Sequence, residues 1–300
     1  MNTVKNIVVI GGGYAGVNSA LRLSKHLKPD QATITLVDGT DHFVERIRFH
    51  QLSSGQTLPH YSYADFLSGT DVQFVQGWVT GIAPEKQTIT VHRDQQDVTL
   101  HYDYLVYALG SLIDTKVVPG INEYAMSVST EASTLALREK LVSLPPQGKV
   151  VICGGGLTAI ESATEYAESY PHLDVTVITQ GKLGERLSAK AQAYLKGKFE
   201  TLGIRLLEDA TITEIVEGQV LYNQGQAIDY DVCIWAGAFT VPKLAQHSGL
   251  PVNRAGQIRV DQQLRVQGYD TIYAIGDSAT LEETLDFPIR MACASAKPMG

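Results

Sequence analysis

Cysteine is scarce in this 300-residue chain: Cys153, Cys233 and Cys293 are three in number and far apart. No CxxC pair occurs, which argues against a disulfide framework and for a reducing compartment. Basic runs are missing too. Lys and Arg total 24 against 32 Asp and Glu, a net charge of −8, and this excludes the usual nucleic-acid surface. No apolar stretch approaches the ~18 to 20 residues of a membrane span. The N-terminus runs from Met1 straight into a strand, without the basic and apolar regions of a secretory signal. Glycine, by contrast, is abundant at 27 residues, in a chain that is 44% hydrophobic and 19% charged. That composition is globular, and the length allows two domains, each with its own core.

The order of elements suggests α/β architecture. Residues 5–10 are an apolar run bounded by glycine, as in a buried parallel strand. A helix follows through "AGVNSALRLSKHL", then the strand "ATITLVDG" ends at Asp38, completing a βαβ unit. Residues 72–76, 78–82, 87–92 and 97–101 alternate apolar and polar side chains and read as an antiparallel meander. "YDYLVYALGS" returns as a buried strand, and Pro119 and Gly120 punctuate the stretch after it. The second half repeats the plan: a helix near 130–143, the strand "KVVICGG", a helix from Leu157 to about Ser169, and the strand "DVTVIT". A helix near 188–202 and three strands come next, then "YDVCIWAGAF", an echo of "YDYLVYALGS", and a last strand "DTIYAIGDSA". The repeat is a whole domain.

Each repeat opens on a glycine loop. In Gly11-x-Gly13-x-x-Gly16 the glycines permit a tight turn, close backbone approach to a pyrophosphate, and close helix–strand packing. The helix N-terminus behind them offers N–H groups and a positive dipole end to phosphate. Asp38 stands 22 residues after Gly16, the offset of an acid that bonds a ribose hydroxyl pair. The second loop is Gly154-x-Gly156-x-x-Ala159, and alanine in the third slot stays within the fingerprint. Here the strand ends in Thr179-Gln180-Gly181, with no acid where an NADH-selecting carboxylate would stand. Lys182 and Arg186 could approach a 2′-phosphate or be solvated loop charges, so NADH against NADPH stays open. Two cradles in one chain suit a flavin and a hydride carrier.

The ordered set "VVIGGGYAG", "YALGS", "VVICGGGLTAIE", "WAGA" and "IYAIGDSA" resembles the two-dinucleotide-binding-domain flavoproteins, the pyridine nucleotide-disulfide oxidoreductase superfamily. Glutathione reductase, apoptosis-inducing factor and type II NADH dehydrogenase are among its members. The resemblance implies a discontinuous FAD-binding domain, 1–112 and 242–300, and an inserted NAD(P)H-binding domain, 113–241. Each would be Rossmann-like, a parallel sheet with a small antiparallel meander. FAD would be bound by Gly11, Gly13, Tyr14, Ala15, Gly16, Asp38, Arg48, Val79, Ala108, Gly110, Gly276 and Asp277. NADH or NADPH would be bound by Gly154, Gly156, Leu157, Thr158 and Gly237. Asp277 could instead cap a helix starting after Gly276, and Arg48 has equal claim to a structural role.

Within that superfamily the missing CxxC excludes the disulfide reductases, and "GTDHFVE" lacks the cysteine of the peroxidase-type branch. Cys153 reads as a small core residue. "ITLVDGTDHFVERIRFHQLSSG" is similar to the type II NADH dehydrogenase branch. That branch implies a catalytic role for Glu161, on the helix after the second loop, and offers Glu165 one turn later on the same face. The expected reaction is hydride transfer from NAD(P)H to FAD and then to a quinone or another small acceptor. Alternatives are a reductase of a ferredoxin- or rubredoxin-type protein, and a redox-sensing interaction module like apoptosis-inducing factor. The branch usually carries glutamines near its quinone, whereas "RMACASAKPMG" puts Cys293 and Lys297 there. Lys297 is then a candidate to stabilise negative charge on the flavin. The branch also has a further C-terminal region after the point reached by Gly300, which forms part of the acceptor site, the dimer contact and often a membrane-surface helix. The expectation is therefore a truncated chain of a cytoplasmic enzyme, peripheral to the membrane at full length and with a homodimer as one arrangement.

Overall fold

The computed structural model describes residues 3–185, 187–281 and 298–300. They form two compact units: Met1–Val44, His60–Leu112 and Phe239–Gly300 in the first, Glu45–Pro59 and Ile113–Ala238 in the second.

The first unit is built on a five-stranded parallel sheet in the order Ile272–Ala274, Tyr104–Tyr107, Lys5–Ile10, Ala32–Asp38, Val72–Gln76. Strands buried on both faces need unbroken apolar sequence, and "NIVVI" supplies it. Ile7 and Val9 enter one core with Ala20, Leu36 and Tyr63. Val8 and Ile10 point the other way, into a core with Val37, Val91 and Leu105. Each such aliphatic side chain contributes about 1.5 to 3 kcal/mol on burial. The helix Tyr14–His26 turns Ala15, Gly16, Val17 and Ala20 inward, small residues that let it lie close to the sheet. It ends as Leu27 becomes extended, with Lys25 and His26 in the last turn opposite the negative end of the dipole. A three-stranded antiparallel meander, Trp78–Ala83, Thr88–Arg93 and Gln96–His101, buries Ile82, Ile89 and Val91 and leaves its other face toward water.

Residues 72–76 are not in that meander. Their alternation of apolar and polar residues belongs to a parallel edge strand, where Val72 and Phe74 pack on one core and Val75 on the other.

The second unit repeats the sheet with strands in the order Ala125–Met126, Val232–Trp235, Lys149–Cys153, Asp174–Ile178, Arg205–Leu207, all parallel. Its meander is Ile212–Val216, Gln219–Tyr222 and Gln226–Asp229; the last strand is absent from the sequence reading because "QAID" carries a single large apolar residue. Val151, Cys153, Ile178, Cys233 and Trp235 pack beneath Ile215 and Val220. Its longer helices flank the sheet strands in the chain. Glu131–Val142 is capped by Thr130, whose Oγ1 accepts from Ser133 N at 3.2 Å. Leu157–Ser169 buries Ala159, Ile160, Ala163, Tyr166 and Ala167. Ala189–Thr201 is capped by Ser188 Oγ, 3.3 Å from Ala191 N.

Two boundaries differ from the sequence reading. The return to the first unit falls at Phe239, three residues before position 242, and Glu45–Pro59 belongs to the second unit. Within that segment the short helix Phe49–Ser53 packs on Glu131–Val142 and Leu157–Ser169, burying Phe49, Leu52 and Ser53. A local pattern of 15 residues shows that a segment has an apolar side but not which neighbour covers it.

Candidate functional site: two glycine loops

The strand Lys5–Ile10 delivers Gly11 to the carboxyl edge of its sheet, where Gly11 N donates to Val37 O at 2.8 Å. Gly11 has φ +100, and a Cβ there would overlap the Ala108 carbonyl oxygen. A Cβ on Gly16 would overlap Gly11 O, so helix and loop touch backbone to backbone. Gly13 is the reverse case. It is exposed, begins the helix with no side-chain cap, and would give an added methyl no neighbour within 4 Å. The loop is closed from below and open at Gly13, the shape a pyrophosphate needs on a helix N-terminus.

Asp38 fixes this loop. Its Oδ2 accepts from Gly12 N at 2.6 Å, and its Oδ1 accepts from Thr40 N at 2.9 Å and Thr40 Oγ1 at 2.7 Å. Tyr63, fully buried, donates its hydroxyl to Gly12 O at 2.8 Å; burial, helped by the Asp38 carboxylate, pushes its pKa far up, so it stays a donor. The ends of the two neighbouring strands join the same edge. Ser111 Oγ donates to Asp277 Oδ2 at 2.6 Å, and Ser278 Oγ donates to Gly110 O at 2.8 Å. Gln257 Nε2 holds the Asp277 carbonyl at 3.0 Å. Gly276–Ser278 is a single 3-10 turn without a side-chain cap, and the Asp277 carboxylate is turned to Ser111. Gly11, Gly13, Gly16, Asp38, Ala108, Gly110, Gly276 and Asp277 thus gather at one edge, with Tyr14 and Ala15 in the first turn behind. Tyr14 stands edge-on to Phe43, ring centroids 5.0 Å apart. Val79 lies in the meander opposite Val91, packed on the core. Arg48 is in the second unit, where its guanidinium donates to Gln51 Oε1 at 2.7 Å and to Glu45 at 3.2 Å.

The second loop repeats the backbone bonds of the first. Gly154 N donates to Ile178 O at 2.8 Å, and Ala236 N to Cys153 O at 2.9 Å, as Ala108 N does to Ile10 O at 2.8 Å. Gly154 has φ +142, with the Ala236 carbonyl carbon 3.0 Å from where a Cβ would stand, and Gly156 is open like Gly13. Leu157 and Thr158 begin the uncapped helix, Leu157 exposed and Thr158 half-buried. This pairing makes Thr179 the counterpart of Asp38 and Gly237 the counterpart of Leu109. Thr179 is buried, its hydroxyl directly beneath Gly155. Lys182 is ion-paired with Asp209, and Glu208 lies 3.7 Å away. Arg186, Cys293 and Lys297 lie outside the described residues.

On the helix after this loop, Glu165 is engaged by its neighbours: Oε1 accepts from Ser54 Oγ at 2.8 Å and Gln56 Nε2 at 2.7 Å. Tyr166, buried, meets Ser53 Oγ at 2.6 Å, and burial pushes its pKa up to about 12. Glu161 is 45% exposed, with Oε2 3.8 Å from His50 Nδ1. Burial holds the His50 imidazolium below the usual histidine range; Glu165 opposes this and Arg48 adds to it. His50, Ser53, Ser54 and Gln56 escape the sequence reading. The one signal is polar residues at helical spacing in "FHQLSSGQ" facing a helix that carries two glutamates. Cys153 is a core residue, its Sγ 3.7 Å from Cys233 Sγ in the neighbouring strand.

The sequence matches the pyridine nucleotide-disulphide oxidoreductase family over residues 5–297. It is similar to the NADH dehydrogenase-like protein YutJ of Bacillus subtilis, 28% identical over 93% of this chain and 78% of that protein. It is similar also to the demethylphylloquinone reductase NdbB of Synechocystis, 29% identical over 91% of this chain and 71% of that protein. The type II NADH:quinone oxidoreductase of Staphylococcus haemolyticus is 27% identical over 91% of this chain and 74% of its own length. Among solved structures, NDH2 of Plasmodium falciparum superposes with a TM-score of 0.82 at 24% identity, over 92% of this chain and 64% of that one.

Proposed function

The chain belongs to the pyridine nucleotide-disulphide oxidoreductase family, and from that premise we propose that it is a FAD-dependent NAD(P)H oxidoreductase whose electrons go to a quinone. The observation that carries the reading is the doubled loop. Each unit presents an open, uncapped glycine, Gly13 or Gly156, at the carboxyl edge of a five-stranded parallel sheet. Binding in the crevice beyond the carboxyl ends of such strands is the rule for open α/β sheets.

In this reading the first loop holds FAD. Gly13 leaves room for the pyrophosphate, Asp38 accepts from the ribose while keeping the Gly12 amide, and Asp277, oriented by Ser111, bonds the ribitol side. The second loop, with Gly154, Gly156, Leu157, Thr158 and Gly237, takes NAD(P)H. FAD held there would supply the redox chemistry, taking hydride from NAD(P)H and handing electrons to the acceptor. Glu161, exposed where Glu165 is half-buried beneath Ser54 and Gln56, is the carboxylate that orients the nicotinamide or moves a proton. Lys297 stabilises charge on the flavin. The relatives' names include quinone reductases, which supports the choice of acceptor. The reading includes a homodimer and a cytoplasmic enzyme docked at a membrane surface. Among the described residues no helix is long and apolar enough to cross a membrane.

An anaerobic visible spectrum tests this. Purified protein should show a flavin band that NADH or NADPH bleaches and a soluble quinone restores. The variant Gly13→Glu, which fills the pyrophosphate space with a carboxylate, should be isolated without flavin. Unchanged flavin content in that variant would remove the first loop from the assignment.

A further inference from the structure

We propose that the second unit selects NADH over NADPH, through Glu185 and Asp209, two carboxylates that replace the strand-end acid this unit lacks. The inference rests on the reading of the Gly154 loop as the pyridine nucleotide site.

The position that selects a ribose is fixed by the match between the loops. Gly11 N bonds Val37 O and Gly154 N bonds Ile178 O, so the residue after each accepting carbonyl is Asp38 in one unit and Thr179 in the other. Asp38 lays a carboxylate against its loop amide. Thr179 is buried and uncharged, with its hydroxyl under Gly155, so it places no charge at a 2′-oxygen. On these residues alone a 2′-phosphate would be tolerated, and Lys182 would be its natural partner.

The structure gives that lysine other partners. Ala210 N bonds Thr179 O at 3.0 Å and Asp209 N bonds Gly181 O at 3.4 Å, which brings Glu208 and Asp209 alongside the Thr179–Gly181 turn. Lys182 is ion-paired with Asp209, with Glu208 3.7 Å away. Lys196 is held by Glu208 at 3.1 Å, and Glu208 also takes the Leu183 amide at 2.8 Å. Glu185 then covers Gly181: a Cβ on that glycine would lie 2.6 Å from Glu185 Oε2. Both ammonium groups are therefore neutralised, and Glu185 is the carboxylate left over the turn. A 2′-phosphate brings nearly two negative charges at neutral pH to a place with no spare cation among these groups. The two hydroxyls of NADH meet carboxylates that can accept their hydrogen bonds.

A unit charge about 6 Å from a dianion in water disfavours it about tenfold. Calorimetric titration of the full chain with ADP-ribose and with its 2′-phosphate reads this without any turnover. ADP-ribose should bind about tenfold more tightly at low salt, and the gap should narrow as salt is raised. In the double variant E185Q/D209N the phosphorylated probe should gain most of that factor while ADP-ribose changes little. Asn tolerates the left-handed φ of +53 at position 209, and unchanged melting would show that the variant folds. Equal or tighter binding of the phosphorylated probe by the unaltered chain overturns the proposal, as does an unchanged ratio in the variant. If neither probe binds at all, the reading of the Gly154 loop falls, and the inference with it.

Discussion

The two units share a plan and differ in how tightly it is closed. Both sheets place the loop strand at the centre and the strand after the meander beside it, but the fifth position is filled from opposite directions along the chain. In the first unit it is Ile272–Ala274, later in the chain than the other four; in the second it is Ala125–Met126, earlier than the other four. The loops differ likewise. Gly11 and Gly12 are buried, Gly154 and Gly155 only partly. The first loop is tied by Asp38 and Tyr63, whereas the second rests on Thr179. Where the first has Gly16 with no room for a methyl group, the second already carries Ala159, fully buried. The residue two beyond Ala108 is Gly110 with φ +65; its counterpart beyond Ala236 is Ala238 with φ +46. A tightly closed cradle suits a cofactor that stays, and a looser one suits a nucleotide that must come and go each turnover.

The hardest test of this contrast is the third loop position. Gly16→Ala forces a methyl into the Gly11 carbonyl, backbone against backbone with no rotamer to relieve it. It should cost about 3 kcal/mol. The mirror change Ala159→Gly should cost about 2 kcal/mol, the helix-propensity difference plus the loss of one buried methyl. Urea unfolding of both variants checks the pair, and equal losses would end the claim that the first loop is the more closed.

The strand-end position comes next. Asp38→Ala removes a carboxylate that satisfies Gly12 N, Thr40 N and Thr40 Oγ1, leaving a loop amide without its acceptor. A loss of about 2 to 3 kcal/mol is expected, together with the flavin. Thr179→Ala should lose about 1 kcal/mol from the buried methyl and leave the flavin in place. Flavin absorbance per polypeptide, read beside the unfolding midpoint, distinguishes the two.

These loop and strand-end positions are also the ones the sequence displays best. Gly11, Gly16, Asp38, Gly154 and Asp277 stand out because backbone close approach and strand-end geometry restrict residue type at fixed offsets, so chemistry shows in spacing. Contacts between distant segments leave no such trace. The polar spacing of "FHQLSSGQ" does not name Glu165 as the partner of Ser54 and Gln56, nor does "GIRLLED" show that its acids neutralise Lys182. Residues 72–76 mislead for a related reason: an edge strand of a parallel sheet and a meander strand both alternate, and only the neighbour decides.

The open glycines bear on function more than on folding. At Gly13 and Gly156 a methyl meets nothing within 4 Å, and both have negative φ. Alanine at either position should therefore change stability by at most about 1 kcal/mol, mostly from poorer capping. It should occupy space that pyrophosphate needs. Gly13→Ala should weaken FAD retention about tenfold with ADP-ribose affinity unchanged, and Gly156→Ala the reverse. Calorimetry with each ligand checks both. A variant that weakened both ligands equally would mean the cradles are not independent.

The smallest expected effect separates the units by acid sensitivity. In the second unit His50 is only 15% exposed and faces Glu161, Glu165 and Arg48. Desolvation outweighs the carboxylates there, so the folded state favours neutral imidazole. The unfolded chain, with an ordinary pKa of about 6.5, takes up the proton first as pH falls. Stability from this group is thus complete above about 6.5 and is lost as pH drops through the lower folded-state pKa. In the first unit His42 is similarly covered, 18% exposed, but pairs at 2.8 Å with the exposed carboxylate of Asp41. His50→Asn should flatten the fall in melting temperature between about pH 7.5 and about pH 5. A steeper fall in the His50 variant would mean that Glu161 and Glu165 stabilise the charged ring after all, and that the Glu45–Pro59 segment is held to its unit by ion pairing instead of by burial.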